Sequence, residues 1–297
     1  MLEHLLTEQS NPNSEGIDAL NTEEALRIIN AEDQKVAGAV SAEIPRIAKA
    51  VDAIVAALSR GGRLFYVGAG TSGRLGQLDA AECPPTFSVP AELVQAIMAG
   101  GEGAVSRATE ATEDDPQAGA QDIRSRGFTS GDVLVGIAAS GRTPYVLGAV
   151  AAAREAGAVT IGISCTPGSR LAGAVDFAVT PLTGPEIIAG STRLKAGTAT
   201  KLVLNMLTTA SMIRLGYVYG NLMVNVQPKN TKLADRARRI IAKAAGVDSE
   251  RAGELLDASG GVVKTAIVMA RLGLSREDAE SRLAACSGRV SEALRHG

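Results

Sequence analysis

The sequence predicts an α/β protein: a doubly wound, mainly parallel sheet, preceded by N-terminal helices and followed by a small helical bundle. Short apolar runs with little polar alternation, at 64–67, 133–137 and 159–163, are typical of strands buried on both faces. Alanine-rich helical stretches such as 144–156 separate these runs, and strands that alternate with helices favour parallel pairing. Aromatic residues form only 3% of the chain, so aliphatic side chains must fill the core.

The N-terminal region predicts two helices. Residues 1–20 are polar and irregular, and Asn21 or Thr22 is suited to cap the helix that follows. A second helix carries one apolar stripe at three- and four-residue steps, and Gly61-Gly62 ends it. The stripe consists of Ile44, Ile47, Val51, Ile54, Val55 and Leu58.

Beyond the third apolar run, residues 177–179 predict a further strand and residues 191–215 a long helix. The inward face of that helix is expected to hold Leu202, Val203, Met206, Leu207, Ala210 and Ile213. After Pro228 the pattern changes to three or four short helices with connections of ordinary length. We therefore expect two domains, at 1–230 and 231–297.

Composition excludes several classes of function. The 297 residues include 30 Lys and Arg and 32 Asp and Glu, and this net charge of −2 argues against a nucleic-acid partner. Three cysteines without a CxxC pair indicate reduced thiols, as in a cytoplasmic protein, rather than disulfides or a zinc ribbon. The start of the chain does not resemble a signal peptide. No apolar stretch approaches the roughly 20 residues that cross a bilayer, so no membrane association is expected.

The two histidines, His4 and His296, stand near the chain ends. A histidine-based triad, general base or metal site is therefore not expected, and no metal or other cofactor is predicted. If the protein performs acid–base chemistry, carboxylates or lysines must carry it.

Two strand-to-helix turns are candidates for binding an anion. The segments GAGTSGR (68–74) and AASGRTP (138–144) each follow a predicted strand and open a helix. Small residues allow close backbone approach, and free N–H groups and hydroxyls suit a phosphate or phosphosugar. Either turn alone is equally well explained as an ordinary βα turn, but two turns at one sheet edge favour a ligand site. The candidate ligands are Gly70, Thr71, Ser72, Gly73, Ser140, Gly141 and Thr143.

The acidic and basic residues that are candidates for the site are less specific signals than the two turns. Glu82 precedes Pro84-Pro85, which predicts a rigid, non-helical corner, and we expect Glu82 to be buried beside the apolar segment that follows. Glu113 lies in the acidic run 110–116. A solvated loop carboxylate is the usual alternative for Glu82, and a solvated face or helix end explains the acidic run around Glu113 even better. Ser191, Thr192 and Lys195 are placed to hold an anion near a helix start, although a capped helix with an exposed lysine explains them too.

Five segments together resemble the N-acetylmuramic acid 6-phosphate etherases, a family of the sugar-isomerase (SIS) superfamily. They are GAGTSGRLGQLDAAECPPTF, GIAASGRTPYV, GISCTPGS, GSTRLKAGTATKLVLNMLTT and YGNLMVNV, and the resemblance runs from TEQSNPNS at 7–14 to the C-terminal helices. It implies an SIS fold with a small bundle similar to ubiquitin-associated domains. It also implies a homodimer, a phosphosugar substrate, and a lyase that releases D-lactate in cell-wall amino-sugar recycling. The family's proton donor falls on Glu82 and its second glutamate on Glu113.

Two other functions share this fold. An aldose–ketose isomerase would use the same ring opening and the same C2 proton, and release of lactate separates the two activities. A sugar-phosphate-sensing regulator is the third candidate. No basic recognition helix or winged N-terminal domain supports a DNA-binding regulator, and both glutamates stand at their motif positions.

Overall fold

The computed structural model of the chain describes residues 6–105 and 112–295. The helices of that part of the chain are α1 (Thr22–Ser41), α2 (Ile44–Leu58), α3 (Gly70–Phe87), α4 (Pro116–Ser125), α5 (Pro144–Glu155), α6 (Arg170–Ala174), α7 (Lys195–Arg214), α8 (Thr231–Ala245), α9 (Ser249–Ala258), α10 (Val263–Leu272), α11 (Arg276–Ala285) and α12 (Val290–Arg295). The strands are β1 (Leu64–Gly68), β2 (Val94–Met98), β3 (Val133–Ile137), β4 (Val159–Ile163), β5 (Phe177–Val179), β6 (Val218–Tyr219) and β7 (Leu222–Met223).

Strands β1 to β5 form one parallel sheet in the order β2-β1-β3-β4-β5. Gly68 at the end of β1 pairs with Met98 of β2 on one side and with Ile137 of β3 on the other. From β1 the chain adds β2 on one side of the sheet, and it then adds β3, β4 and β5 in turn on the other side. With the right-handed crossovers that parallel strands almost always have, this reversal of direction places helices on both faces. The predicted doubly wound sheet is confirmed, and β2 is a strand that the sequence pattern missed.

The first two helices begin and pack as their sequences predict, with one exception. Asn21 caps α1 by accepting a hydrogen bond from the Glu24 amide at 3.0 Å, while the Glu24 carboxylate accepts one from the Asn21 amide. In α2 the stripe residues Ile47 and Ile54 are buried. Ile44, which the stripe included, is half exposed, because it occupies the first position of the helix.

Helices α4 and α5 approach each other until their backbones touch, at two glycines. A Cβ atom added to Gly148 would lie 1.9 Å from the Pro116 carbonyl oxygen, and one added to Gly119 would lie 2.0 Å from the Tyr145 carbonyl oxygen. The hydroxyl of Tyr145 donates a hydrogen bond to Asp122 across the same contact, and burial raises its pKa first, with the Asp122 carboxylate adding to the effect. The two helices therefore pack as one rigid pair.

Helix α3 corrects the expectation of a non-helical corner at Pro84-Pro85. Both prolines lie inside the helix, which continues to Phe87, and the Ser88 amide donates to the Pro84 carbonyl at 2.9 Å to close the last turn. Proline has a φ angle compatible with a helix, so two prolines near the end of a helix remove hydrogen bonds without ending it.

Helix α7 begins four residues later than the sequence predicted, and its inward face is rotated. Val203 and Leu207 are buried as expected, but Ile213 is half exposed, and Leu204 and Met212 are buried instead. Ser191 therefore precedes the helix and is not part of its first turn.

The chain divides into two compact units. Unit 1 comprises 1–80 and 91–208, and unit 2 comprises 81–90 and 209–297. The predicted domain boundary at 230/231 falls inside unit 2. Unit 2 has its own apolar core, in which buried side chains of α8 to α12 pack together with Val224 and Val226. The five helices of 231–295 exceed the three or four that were expected. Among the described residues, no helix is long and apolar enough to cross a membrane.

Candidate active site

A pocket of about 240 Å³ opens in unit 1 where strands β1 and β3 end. These neighbouring strands mark the point at which the strand order reverses, and ligands of open α/β sheets bind outside such a point. The residues that line the pocket are Glu8, Ala69, Gly70, Thr71, Ser72, Leu75, Glu113, Ala138, Ala139, Ser140, Thr143, Gly190, Thr192, Ala196, Gly197 and Thr200. Both predicted anion-binding turns therefore contribute to one pocket.

The turn from β1 to α3 brings backbone amides and hydroxyls to the pocket. Gly70, Thr71 and Ser72 form the first turn of α3, whose N–H groups have no partner within the helix, and they line the pocket. Gly73 does not line it. A Cβ on Gly73 would lie 2.7 Å from the Met98 side chain, and one on Gly68 would lie 2.7 Å from the Gly73 nitrogen. Gly73, predicted as a ligand, instead allows the helix to pack closely on the strand ends.

The turn from β3 to α5 contributes two hydroxyls and is held in a fixed conformation. Ser140 and Thr143 line the pocket. Gly141 has φ +65, and its missing Cβ would lie 2.3 Å from the Ser169 side chain. Its amide donates to the Ala138 carbonyl at 2.8 Å. Gly141, also predicted as a ligand, thus shapes the turn and is not among the lining residues.

Glu113 lies in the pocket and is fixed by two hydrogen bonds. The Thr143 hydroxyl donates to its Oε1 at 3.2 Å, and the Tyr145 amide donates to its carbonyl oxygen at 3.0 Å. These bonds tie the turn that carries Glu113 to the start of α5. Because α4 and α5 pack rigidly against each other, the position of this carboxylate is well defined relative to Ser140 and Thr143.

The first amides of α7 are paired with a buried acid. The Glu186 carboxylate, which is 1% exposed, accepts hydrogen bonds from the amides of Lys195 and Ala196, each at 2.9 Å. These two amides are therefore already paired. Lys195 is not exposed, contrary to the alternative explanation, because its Nζ donates to Glu32 Oε2 at 2.6 Å inside the protein. Of the described residues near this helix start, Thr192 lines the pocket, whereas Ser191 and Lys195 do not.

Glu32 is the centre of a buried polar cluster. Burial alone raises the pKa of its carboxyl, but hydrogen bonds from Lys195, Lys35, Asn11 and Asn13 outweigh that effect and lower the pKa to about 2. The carboxylate is therefore ionised at neutral pH, and it holds both α7 and the N-terminal segment in place.

Residues 7–14, which we call the N-terminal strap, are attached to the loop before α7. Asn11 Nδ2 donates to the Pro185 carbonyl at 3.1 Å as well as to Glu32, and the Ser14 hydroxyl donates to the Ile187 carbonyl at 2.8 Å. At the other end the Gly190 amide donates to the Thr7 carbonyl at 3.0 Å. These bonds bring Glu8 to the pocket.

Sequence reasoning missed Glu8 and the pocket residues of α7, including Gly197 and Thr200. Residues 1–20 are polar and irregular in sequence, and TEQSNPNS at 7–14 entered only through the family resemblance, which implied no site residue there. The available signals were the Asn-Pro-Asn-Ser cluster, whose short polar side chains form local caps, and the small polar residues of the first α7 turns.

Among the residues described as lining the pocket, the ionisable side chains are Glu8 and Glu113, and both are acidic. Hydrogen-bond donors come from hydroxyls and backbone amides, and these bind a phosphate without a lysine or arginine. The pocket therefore combines hydroxyls and amides of the kind that suits an anion with two carboxylates of the kind that suits hydrogen-bond acceptance or proton transfer.

Glu82 lies on α3 within unit 2, and its side chain is exposed. The expected burial beside the segment that follows Pro84-Pro85 is therefore wrong for this residue in the single chain, because the helix turns its side chain to solvent. His4, His296 and Glu110 lie outside the described residues.

The parallel sheet and the pocket where its strand order reverses define an α/β protein, and a family-model match assigns it to the SIS class. Residues 46–154 match the family model described as the glucokinase regulatory protein N-terminal SIS domain. The structure of phosphoheptose isomerase from Neisseria gonorrhoeae is similar, with a TM-score of 0.51 and 22% sequence identity, and the similarity covers 64% of this chain and 98% of that one. At this identity the similarity concerns the fold alone.

Two curated relatives identify the family within that class. The N-acetylmuramic acid 6-phosphate etherase of Aeromonas hydrophila is 54% identical over 98% of this chain and 98% of its own length. That of Rhizobium rhizogenes is also 54% identical, over 99% of this chain and 95% of its own. The chain belongs to the N-acetylmuramic acid 6-phosphate etherase family.

Proposed function

We propose that this protein is a carbon–oxygen lyase that cleaves the D-lactyl ether at C3 of N-acetylmuramic acid 6-phosphate. The products are N-acetylglucosamine 6-phosphate and D-lactate, and the reaction serves the recycling and catabolism of cell-wall amino sugars. The observation that carries the proposal is the position of Glu113, which shares one pocket with the hydroxyls and amides of two phosphate-type turns. Family membership supplies the substrate.

The chemistry requires proton transfers and an anchor for the phosphate. Opening of the sugar ring places an aldehyde at C1, which acidifies the proton on C2. A base removes that proton, a C2–C3 double bond forms, and the C3–O bond breaks as an acid protonates the departing lactyl oxygen. Water then adds across the double bond, its oxygen to C3 and a proton to C2. Carboxylates are sufficient for each transfer, and no cofactor is proposed.

The residues divide into two groups. Thr71, Ser72 and Ser140 bind the phosphate together with the first amides of α3, where the positive end of the helix dipole attracts an anion. Thr143, also predicted as a ligand, donates its one hydroxyl proton to Glu113 and positions that carboxylate. Glu113 acts as the base toward the C2 proton or the incoming water. The acid that protonates the lactyl oxygen is Glu82, and this assignment rests on the family resemblance.

The direct test is to incubate the purified protein with N-acetylmuramic acid 6-phosphate and to measure D-lactate. We expect lactate and N-acetylglucosamine 6-phosphate in equal amounts. A ketose product without lactate would instead indicate an isomerase, and binding without turnover would indicate a sensor of the phosphosugar.

The role of Glu113 is tested by Glu113→Gln, with Asp114→Asn as the matched control. Gln has nearly the same shape but cannot accept the proton, so we expect a loss of about 10²- to 10⁴-fold in rate. Asp114 is an exposed acid in the same turn, and its variant should retain the parental rate. Equal rates in Glu113→Gln and the parent would exclude the proposed role.

The role of Glu82 is tested by comparing two signals in Glu82→Gln: release of D-lactate and exchange of the C2 proton with deuterated water. If Glu82 supplies only the acid, the variant releases little lactate but still exchanges the C2 proton. Parental lactate release would contradict the assignment.

We also propose that the protein is a cytoplasmic homodimer. The family resemblance and the many small residues on the helices beside the sheet support the dimer, and the charged substrate does not cross membranes unaided. Two of the three cysteines, Cys83 and Cys165, are buried and are not joined in a disulfide, in keeping with a reducing compartment. A monomeric mass by light scattering at micromolar concentration would contradict the dimer.

A further inference from the structure

We propose that Glu8 is a substrate-binding residue: its carboxylate accepts a hydrogen bond from a hydroxyl group of the sugar. The pocket then recognises the sugar through the N-terminal strap and the phosphate through the two strand-to-helix turns. The identity of the sugar rests on the proposed function, whereas the placement of Glu8 does not.

Glu8 has a fixed place because the strap is attached on both sides of it. The Gly190 amide donates to the Thr7 carbonyl at 3.0 Å, and the buried Asn11 side chain donates to Glu32 and to the Pro185 carbonyl. The Glu8 carboxylate also accepts a 3.4 Å hydrogen bond from the hydroxyl of Thr7, which is 3% exposed. The backbone of the strap thus directs this side chain to the pocket.

Gly190 leaves the space that the carboxylate uses. A Cβ atom at this position would lie 3.2 Å from Glu8 Oε2, so a side chain there would crowd the carboxylate. Gly190 has φ +77, a conformation that glycine adopts without strain. Strap and loop are therefore complementary at the point where Glu8 enters the pocket.

The chemistry of the pocket determines which part of the ligand Glu8 meets. A phosphate carries negative charge and would be repelled by a carboxylate, so Glu8 must face the uncharged part of the ligand. Sugar hydroxyls are donors, and an ionised carboxylate is an acceptor only. Glu113, the other lining carboxylate, is proposed for proton transfer at the reacting carbon. Glu8 is thus the acceptor available for the sugar.

The experiment compares Glu8→Ala with Glu15→Ala, which removes an exposed acid just beyond the strap and outside the pocket lining. Calorimetry with N-acetylglucosamine 6-phosphate measures recognition of the sugar, and calorimetry with inorganic phosphate measures recognition of the anion alone. For Glu8→Ala we expect about 10- to 100-fold weaker binding of the phosphosugar, the range for a hydrogen bond to a charged group. Inorganic phosphate should bind equally well or more tightly, because a negative charge has been removed from the pocket. Glu8→Gln, which keeps an acceptor oxygen, should lose less, and Glu15→Ala should match the parent.

Three results would overturn the proposal. Equal weakening of phosphosugar and inorganic phosphate would mean that Glu8 only supports the shape of the pocket. A lower kcat with unchanged phosphosugar binding would assign Glu8 to the chemical step instead. Unchanged binding and unchanged kcat would make it a solvated surface acid. The lactate assay on the parent tests the proposed function separately, because the binding comparison is valid whether or not lactate is released.

Discussion

The buried ion pair between Lys195 and Glu32 is predicted to be essential for the stability of unit 1. The perturbation is Lys195→Met, which keeps most of the volume of the side chain and removes the ammonium group. Lys195 is 1% and Glu32 3% exposed, so the variant leaves a carboxylate inside the protein without its principal counter-charge. Removing one partner of a buried pair typically costs about 3–5 kcal/mol.

The pKa of Glu32 gives an independent magnitude for the contribution of this carboxylate to folding stability. A carboxyl whose pKa falls from 4.5 to about 2 on folding stabilises the folded state by about 3 kcal/mol at neutral pH. Because the folded pKa is the lower one, this contribution is complete above pH 4.5 and is lost as the pH falls toward 2. In Lys195→Met the pKa of Glu32 must rise, so the difference in stability between parent and variant should shrink over the same acidic range.

The assay is urea unfolding followed by circular dichroism between pH 2.5 and 7, with hydrogen exchange of the β1 and α7 amides to assign the loss to unit 1. In the double variant Lys195→Met/Glu32→Gln the buried charge is gone, and part of the stability should return. The matched control is Arg27→Met, which removes a pair whose side chains are 77% and 75% exposed and should change stability by no more than about 0.5 kcal/mol. A cost below about 1 kcal/mol for Lys195→Met at pH 7, or identical acid profiles for Glu32→Gln and the parent, would refute the reasoning.

Four further predictions concern other parts of the chain. Ser140→Ala removes a hydroxyl from the proposed phosphate site and should weaken phosphosugar binding by about 1.5–3 kcal/mol in calorimetry; unchanged affinity with an intact fold would count against that site. Gly148→Ala places a methyl group 1.9 Å from the Pro116 carbonyl oxygen, so α4 must shift; we expect a cost of about 1–3 kcal/mol and a lower kcat through the displaced Glu113, whereas an unaltered kcat would show that the turn is independent of α4. Burial raises the pKa of the Cys165 thiol to about 12, so iodoacetamide at pH 8 should modify it only after unfolding, as peptide mass spectrometry will show. Burial lowers the pKa of Lys264 to about 8, below its ordinary 10.5; Lys264→Met should therefore raise the melting temperature most below pH 8 and lose this advantage by pH 10.5, and a gain that is independent of pH would contradict that cause.

The parts of the fold that the sequence predicted are those in which burial is encoded locally. β1, β3 and β4 are continuous apolar runs, and a strand covered on both faces leaves that signature. β2 was missed because Gln95 interrupts its apolar pattern at the edge of the sheet. Pro84-Pro85 suggested a corner because proline removes hydrogen bonds from a helix. The local sequence does not show whether packing compensates for those lost bonds, and in α3 the helix continues through both prolines.

The candidate site likewise divides into parts that are encoded locally and parts that depend on residues distant in sequence. Its two turns were predicted because glycine, serine and threonine after a strand are a local signal. The Lys195–Glu32 bond joins residues 163 positions apart, and nothing in either neighbourhood distinguishes a paired buried lysine from an exposed one. The strap that carries Glu8 was missed for the same reason, since its partners lie in the loop before α7.

The discontinuous composition of unit 2 has a consequence for the order in which the protein folds. The segment 81–90 borders a cavity whose other wall includes Val226 and Leu233, all within unit 2. During synthesis this segment emerges more than a hundred residues before those partners. The partners emerge only after β5 has completed the sheet of unit 1. Unit 2 therefore forms last. Until its later residues have been synthesised, the apolar side chains of 81–90 lack their partners in unit 2. A nascent chain arrested near residue 208 should bind chaperones through 81–90, and a chain extended to residue 297 should release them.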